Sequence, residues 1–194
     1  MGGVKLIMTM EPIKRKSDLQ RMIAYLEKRN TRDALLFRMG INTILRISDI
    51  VKLRVCDIKH KNGSFRQYLS LNEQKTSKLK KIALNKLIRK EIQIHIDRYE
   101  LEGEDYLFFS LRDPSKSLDR TNAWRILKKA SDHCKIENFG THSMRKTLAY
   151  HIYAKTKNIA LVQKLLNHTS PSVTLKYIGV DQEEMDKAYN EFQL

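Results

Sequence analysis

The stretch from residue 141 to residue 177 opens with Thr141-His142-Ser143-Met144-Arg145, continues to Leu166-Asn167-His168 and closes at Tyr177, nine residues after His168. His142 and Arg145 are three residues apart, so they share one face if the stretch is helical. An imidazole and a guanidinium on one face, joined by a second imidazole and a phenol, can bind a phosphate and attack it. The stretch therefore predicts a site for phosphoryl chemistry.

The charge and composition of the chain indicate an anionic partner. The 194 residues include 37 Lys and Arg against 22 Asp and Glu, which gives a formal net charge of +15 and a pI of about 9.8. Such a charge favours a polyanion, most often nucleic acid and less often an anionic membrane. No run approaches the ~18 uninterrupted apolar residues that a membrane span needs. The expected partner is therefore DNA and not a membrane.

The length and the two cysteines restrict the class of protein. The length suits one domain, and residues 4–10 are too short and too mixed for a secretory signal. Cys56 and Cys134 have neither metal-ligand nor redox spacing, and two cysteines are too few for a disulfide framework. No other residues have the spacing of a metal site. We therefore expect one cytoplasmic domain that uses no metal or other cofactor.

Three regions can be distinguished along the chain. Residues 1–16 have no clear period and are expected to form an arm or linker, and residues 17–180 are expected to form the domain. Residues 181–194 carry five carboxylates against Lys187 and place apolar side chains at helical spacing. This tail is expected to be an acidic amphipathic helix, either packed on its own domain or docked on a neighbouring protein.

Hydrophobic periodicity within the domain predicts a mainly α fold with a small three-stranded antiparallel β-sheet. Apolar residues at helical spacing follow candidate helix starts at Ser17 or Asp18, Thr31, Ser48 or Asp49, Asn85, Asp119 or Thr121, His142, Asn158 and Ser172. Short apolar bursts between residues 54 and 84, the first at residues 55–58, alternate with turn signals and are typical of strands. Gly40 lies inside the second helix, and Trp124 is expected in the core.

Five motifs in this order resemble those of the tyrosine recombinases, or phage integrases. The family segment G-L-R-[IL]-[SG]-[ED] is similar to Ile44-Leu45-Arg46-Ile47-Ser48-Asp49, the segment H-x-L-R to residues 142–145, and L-x-H to residues 166–168. A lysine on a β-hairpin falls within residues 73–78, and the tyrosine is Tyr177. The resemblance covers about residues 11–180 and implies the fold of a tyrosine recombinase catalytic domain. Ile44 stands where the family often has glycine, and Met144 where it often has leucine.

The motif residues suggest how such a site cleaves DNA without a metal. The guanidiniums of Arg46 and Arg145 could bind the non-bridging oxygens of a phosphodiester and stabilise charge on phosphorus. Tyr177 would be the nucleophile and form a covalent 3′-phosphotyrosine. Its phenol has an ordinary pKa of ~10, so the cationic pocket is expected to help it deprotonate. A DNA hydroxyl can reverse the step, which suits strand exchange.

The resemblance also implies roles for the histidines and for an aspartate. His142 would assist proton transfer and position the phosphate. His168 would donate a hydrogen bond to a non-bridging oxygen. Asp49 would orient Arg46 or His142; alternatively, it serves only as a charge at a helix N-terminus.

The lysines of the predicted second hairpin supply the last catalytic group and a DNA contact. By resemblance, Lys75 would protonate the departing 5′ oxygen, and Lys78 is the next choice for that role. Lys78, Lys80 and Lys81 are also expected to contact DNA phosphates.

The resemblance implies a site-specific recombinase of the phage or mobile-element type, which acts on double-stranded DNA and forms a homotetramer on paired sites. Accessory DNA-bending proteins are further expected partners, and the tail would dock on a neighbouring subunit. Two alternatives remain open: type IB topoisomerase-like relaxation, and a DNA-binding regulator that keeps the fold without the activity. Family members usually carry a helical domain before the catalytic one, so we expect either an excised fragment or a naturally short member.

Overall fold

The computed structural model describes residues 10–72, 79–140, 142–180 and 189–191. Within these ranges the elements are, in chain order, α1 (Lys16–Glu27), α2 (Thr31–Thr43), α3 (Ile47–Ile50), α4 (Val55–Ile58), β1 (Leu69–Asn72), β2 (Leu79–Ile82), α5 (Lys86–Tyr99), α6 (Arg120–His133), α7 (Ser143–Thr156), α8 (Ile159–Leu166) and α9 (Pro171–Ile178). The predicted mainly helical fold is confirmed. None of these helices combines the length and apolar character needed to cross a lipid bilayer.

The prediction of a three-stranded sheet is wrong, because the described residues form a sheet of two strands. β1 pairs antiparallel with β2, from Leu69 opposite Ile82 to Asn72 opposite Leu79. The burst at residues 55–58, predicted as a strand, is the helix α4. There the Asp57 carboxylate accepts a hydrogen bond from the Arg54 amide at 2.8 Å, which caps the helix and favours a helical turn over a strand.

Local capping explains several of the helix starts. The side chain of Asn30, and not the predicted Thr31, accepts a hydrogen bond from the Arg32 amide at 2.9 Å and begins α2. Asn85 and Asp119 cap α5 and α6 as predicted. Side-chain oxygens at these positions satisfy amides that the first turn of a helix leaves without partners.

Gly40 lies in the middle of α2 without interrupting the helix. A Cβ atom at this position would lie 2.3 Å from the sulfur of Met144 on α7. The missing side chain therefore lets α2 and α7 pack closely, and this close packing offsets the low helix propensity of glycine.

Two groups of buried apolar side chains hold the elements together. The large core lies among α1–α6, and its fully buried members include Met22, Leu36, Phe37 and Phe108. The small core lies where α8 and α9 pack on each other and on α7. Its buried members are Ile44, Ala149, Tyr153, Val162, Leu166, Ile178 and Val180.

Trp124 was predicted in the core, but it is 38% exposed on α6. The inward face of α6 is formed by Ala123, Leu127 and Ala130, which are buried. A residue next to Ala123 is turned by about 100° around the helix axis, so the indole leaves the core-facing side.

The N-terminal segment, defined as residues 10–15, crosses α7 without forming a helix or strand. The Ile13 amide donates a hydrogen bond to Thr147 Oγ1 at 2.8 Å, and His151 Nε2 lies 3.0 Å from the Ile13 carbonyl oxygen. The segment is therefore fixed on the helix that carries the central histidine–arginine motif.

Candidate active site

Three predicted catalytic residues line one small cleft. Arg46 stands at the N-cap position of α3, His142 at the N-cap position of α7, and Arg145 in the first turn of α7. Together with Ile47, Ser48 and Arg120 they enclose a volume of about 70 Å³. His142 is exposed, whereas Arg145 is buried. The cleft thus offers two guanidiniums and one accessible imidazole to an anion.

The turn between α2 and α3 sets the direction of Arg46. Ile44 ends α2 with φ 53°, in the left-handed region. This region is costly for a β-branched residue and open to glycine, which explains why the family often has glycine here. The Ile44 side chain enters the small core, and its burial offsets part of the cost.

Carbonyl groups at the end of α8 hold two cationic side chains. Arg145 Nη2 donates a hydrogen bond to the Leu166 carbonyl oxygen at 2.8 Å, and Lys80 Nζ donates to the Leu165 carbonyl oxygen at 3.0 Å. The last carbonyls of a helix carry partial negative charge and lack helical partners. The end of α8 therefore links the arginine of α7 and the hairpin strand β2 to the small core.

His168 and Tyr177 form a contacting pair beyond α8. Their ring centroids are 4.9 Å apart with an interplanar angle of 84°, an edge-to-face arrangement. His168 Nδ1 lies 3.3 Å from Thr174 Oγ1, and this hydroxyl donates to the Ser170 carbonyl oxygen at 3.0 Å. The Thr174 oxygen can then accept a hydrogen bond from the Nδ1–H group, which leaves Nε2 for the phosphate.

Burial and the two guanidiniums shift the pKa values of both Tyr177 and His168. Burial raises the pKa of the Tyr177 phenol above its ordinary value, and the charges of Arg145 and Arg46 oppose that rise. The arginines thus favour the phenolate as predicted, but burial outweighs them in this structure. Burial and the same two charges lower the pKa of His168. A bound phosphodiester would offset the guanidinium charges and favour the imidazolium.

The other predicted residues are partly outside the described residues. Asp49 is buried on α3, three residues after Arg46, and its orienting role stays a prediction. Lys75 and Lys78 lie outside the described residues, as do residues 1–9 and most of the tail. Lys81 is exposed on β2, and Lys80 is half-buried at α8. In the part of the chain that the structure describes, no group of three or more His, Cys, Asp or Glu side chains could hold a metal ion.

Two further cationic residues at this site were missed in the sequence. Arg120, the first residue of α6, is exposed at the cleft. Lys146 follows Arg145 directly, and its Nζ lies 4.9 Å from the centroid of the Tyr177 ring. Adjacency to the arginine motif was the only signal for Lys146, and none existed for Arg120, because a separate helix brings it to the cleft.

Two guanidiniums, two imidazoles and a phenol as the candidate nucleophile together make a candidate site for phosphoryl transfer. Residues 14–184 match the model of the phage integrase family. A probable integrase/recombinase of Bacillus subtilis (strain 168), YoeC, is 41% identical over 182 residues, which are 94% of this chain and 96% of that protein. The chain belongs to the phage integrase family.

Solved structures with the same fold are longer than this chain. A crystal structure of XerA recombinase superposes with a TM-score of 0.72 and 18% identity over 94% of this chain and 64% of that one. A XerH site-specific recombinase bound to palindromic difH substrate, in a post-cleavage complex, gives a TM-score of 0.71 and 17% identity over 92% of this chain and 52% of that one. The chain thus spans between half and two thirds of these two proteins.

Proposed function

We propose that this chain is a site-specific DNA recombinase that cuts and rejoins DNA strands through a covalent 3′-phosphotyrosine at Tyr177. One observation carries the proposal. The Arg145 guanidinium lines the cleft with Arg46 and His142 and is hydrogen-bonded to the carbonyl that precedes the His168 loop. Membership of the phage integrase family supports the same activity.

The chemistry follows from the charges at the cleft. Arg46 and Arg145 bind the non-bridging oxygens of the scissile phosphate and stabilise the charge that develops on them. The Tyr177 oxygen loses its proton to the His142 imidazole or to water and attacks phosphorus, the P–O bond to the tyrosine forms, and the bond to the 5′ oxygen breaks. Lys75 gives its proton to that leaving oxygen. A DNA 5′-hydroxyl reverses the same steps, so the phosphodiester is restored without an external energy source.

The remaining motif residues support these steps. His168 donates a hydrogen bond from Nε2 to a phosphate oxygen in its imidazolium form, which the bound phosphate favours. His142 is exposed at the cleft, where it can bind the same phosphate and assist proton transfer. Asp49 is buried on α3, three residues after Arg46, and orients Arg46 or His142.

The proposed partners follow from the reaction and from the charge. A chain with a net charge of +15 suits double-stranded DNA, and Lys78, Lys80 and Lys81 would contact its phosphates. Exchange of all four strands of two duplexes needs four tyrosines, hence a homotetramer on paired sites, with the tail docked on a neighbouring subunit. Accessory DNA-bending proteins would assist this assembly. Free Cys56 and Cys134 suit a cytoplasmic location.

A covalent-trap assay tests the proposal. The purified chain is mixed with a library of nicked duplexes, the mixture is denatured in detergent, and DNA that stays attached to protein is sequenced. We expect attachment with the wild type and none with Tyr177→Phe, which should still bind DNA because the cationic cleft is intact. Tyr25→Phe is the matched control, since Tyr25 lies on α1 and stacks on His133 of α6, and neither residue lines the cleft.

Each other outcome points to a different function. Attachment in the Tyr177→Phe protein would contradict the assignment of the nucleophile. Salt-dependent DNA binding without attachment by the wild type would indicate a non-catalytic regulator. Relaxation of supercoiled plasmid without dependence on a site would indicate the type IB topoisomerase activity.

A further inference from the structure

Lys146 joins the candidate nucleophile to the N-terminal segment. Its Nζ lies 4.9 Å from the centroid of the Tyr177 ring and donates a hydrogen bond to the Met10 carbonyl oxygen at 2.7 Å. An ammonium within about 6 Å of a ring centroid is attracted by the negative face of the ring. One side chain therefore makes both contacts, and both Lys146 and Met10 lie outside the predicted motifs.

The acceptor at Met10 is held in place by its surroundings. The Glu11 amide donates a hydrogen bond to the Asn138 carbonyl oxygen at 3.0 Å, and Ile13 is hydrogen-bonded to Thr147 at 2.8 Å. Gly140 lets the segment approach closely, because a Cβ there would lie 2.3 Å from the Met10 sulfur. The carbonyl is thus fixed relative to α7 before any substrate arrives.

Lys146 is itself fixed at the start of α7. Its amide donates a hydrogen bond to the His142 carbonyl oxygen at 2.9 Å, within the turn that carries Arg145. The side chain is half-buried, and its burial lowers the pKa of the ammonium while the Glu11 carboxylate opposes that change. The charge therefore lies in a partly desolvated place, where a cation–π contact is stronger than at an exposed surface.

We propose that Lys146 is a positioning residue for Tyr177: the ammonium, held by the Met10 carbonyl, fixes the phenol ring in its perpendicular contact with His168. Two contacts from different directions, one on the face of the ring and one from the histidine, restrict the rotation of the side chain. The N-terminal segment thereby sets the position from which the tyrosine attacks. This inference rests on the proposed function of Tyr177 as the nucleophile.

The test compares matched variants of the full chain on a nicked duplex recovered by the covalent trap. Lys146→Met keeps the length of the side chain and removes the ammonium, and Lys146→Arg keeps a cation that can donate to a carbonyl and stack on a ring. Lys157→Met is the control, because Lys157 Nζ lies 5.2 Å from the Tyr153 ring on the same helix, outside the cleft. The measurements are the attachment rate at saturating DNA, the DNA affinity and the unfolding midpoint.

We expect Lys146→Met to slow attachment at saturating DNA by ~10- to 10²-fold, since a misplaced reacting group costs that order of rate. DNA affinity and the unfolding midpoint should stay close to those of the wild type. Lys146→Arg should recover most of the rate, and Lys157→Met should match the wild type. A duplex with a bridging sulfur in place of the 5′ oxygen should not rescue Lys146→Met, because its thiolate leaves without a proton donor.

Four results would overturn the inference in distinguishable ways. Equal rates for Lys146→Met and the wild type would show that the contact does not position the tyrosine. Rescue by the bridging sulfur would make Lys146 a general acid. A slow rate that Lys146→Arg does not recover, with a lowered unfolding midpoint, would indicate a structural role. A wild type that never attaches to DNA would refute the proposed function, and this inference with it.

Discussion

Arg46 and Tyr177 belong to parts of the molecule with different cores. Arg46 follows α2 and begins α3, and both helices pack into the large core. Tyr177 lies on α9, which packs with α8 on α7 through the small core. Arg46, the proposed phosphate ligand, is therefore fixed by extensive packing, whereas Tyr177, the proposed nucleophile, depends on a few buried side chains and on specific polar contacts.

The two parts are joined through α7, which packs closely on α2 at Gly40, and through two further side chains. Ile44 ends α2 but places its side chain in the small core, and Arg145 reaches from α7 to the Leu166 carbonyl. Such joints can transmit a small displacement of one part to the other, and regions with few buried contacts open more readily than the main core. Substitutions at the joints should therefore separate phosphate binding from nucleophile placement.

The largest effect is expected from the arginines. Arg145→Ala and Arg46→Ala should each reduce the covalent attachment rate by ~10²–10³-fold, because each removes a donor that stabilises charge in the transition state. Arg145→Ala should also lower the free energy of unfolding by about 1.5–3 kcal/mol, since it removes a buried charge-assisted hydrogen bond. Attachment kinetics and denaturant unfolding measure the two quantities. An Arg145→Ala protein as stable as the wild type would contradict a structural link through Leu166.

An effect of intermediate size is expected at Ile44. Ile44→Ala should lower the free energy of unfolding by about 2–5 kcal/mol, because it empties part of the small core. Ile44→Gly loses the same contacts but relieves the left-handed backbone, so it should be more stable than Ile44→Ala by about 1 kcal/mol.

Leu45 supplies the control for Ile44. Its side chain is buried to the same degree, at 1% exposure, and its φ is not positive. At this position glycine should be less stable than alanine, as is usual in a folded chain. The same order of stability at both positions would show that the φ of Ile44 carries no strain.

The motif residues could be predicted because each motif is a short segment in which residue type and spacing are visible in the sequence. His142 and Arg145 share one turn, so a helical prediction placed both at one cleft, and Arg46 follows from the resemblance of its own segment. The prediction for Trp124 was wrong because a shift of one residue along α6 turns a side chain by about 100°, which is enough to move the indole from the core to the surface. The prediction of a strand at residues 55–58 was wrong because the hydrogen bond of Asp57 to the Arg54 amide stabilises a helical turn despite the β-branched residues of this segment. Contacts between distant segments, such as that of Lys146 with Met10, leave no periodic signal.

The smallest effect on the free energy of unfolding is expected from titration of two histidines, His95 in the large core and His168 beside the small core. His95 is 3% exposed in the large core and donates to the Leu107 carbonyl oxygen; burial lowers its pKa, as it does for His168. Both imidazoles therefore bind protons more weakly in the folded chain than in the unfolded chain. The free energy of unfolding should then fall as the pH is lowered through the ordinary value of 6.5, and level off below the folded pKa. Denaturant unfolding at several pH values should show a flatter dependence for His95→Gln and for His168→Gln than for the wild type, because each variant lacks one of the two imidazoles.

DNA binding should change the pKa of His168 and leave that of His95 unchanged. In the Tyr177→Phe protein bound to duplex DNA, the phosphate charge should raise the pKa of His168, since it offsets the guanidiniums of Arg145 and Arg46 that lower it in the free protein. The pKa of His95 should not change, because no cleft residue acts on it. Imidazole proton resonances followed by NMR titration measure both values. A higher pKa at both histidines would mean that DNA alters the large core. An unchanged pKa at His168 would mean that the phosphate does not approach the small core.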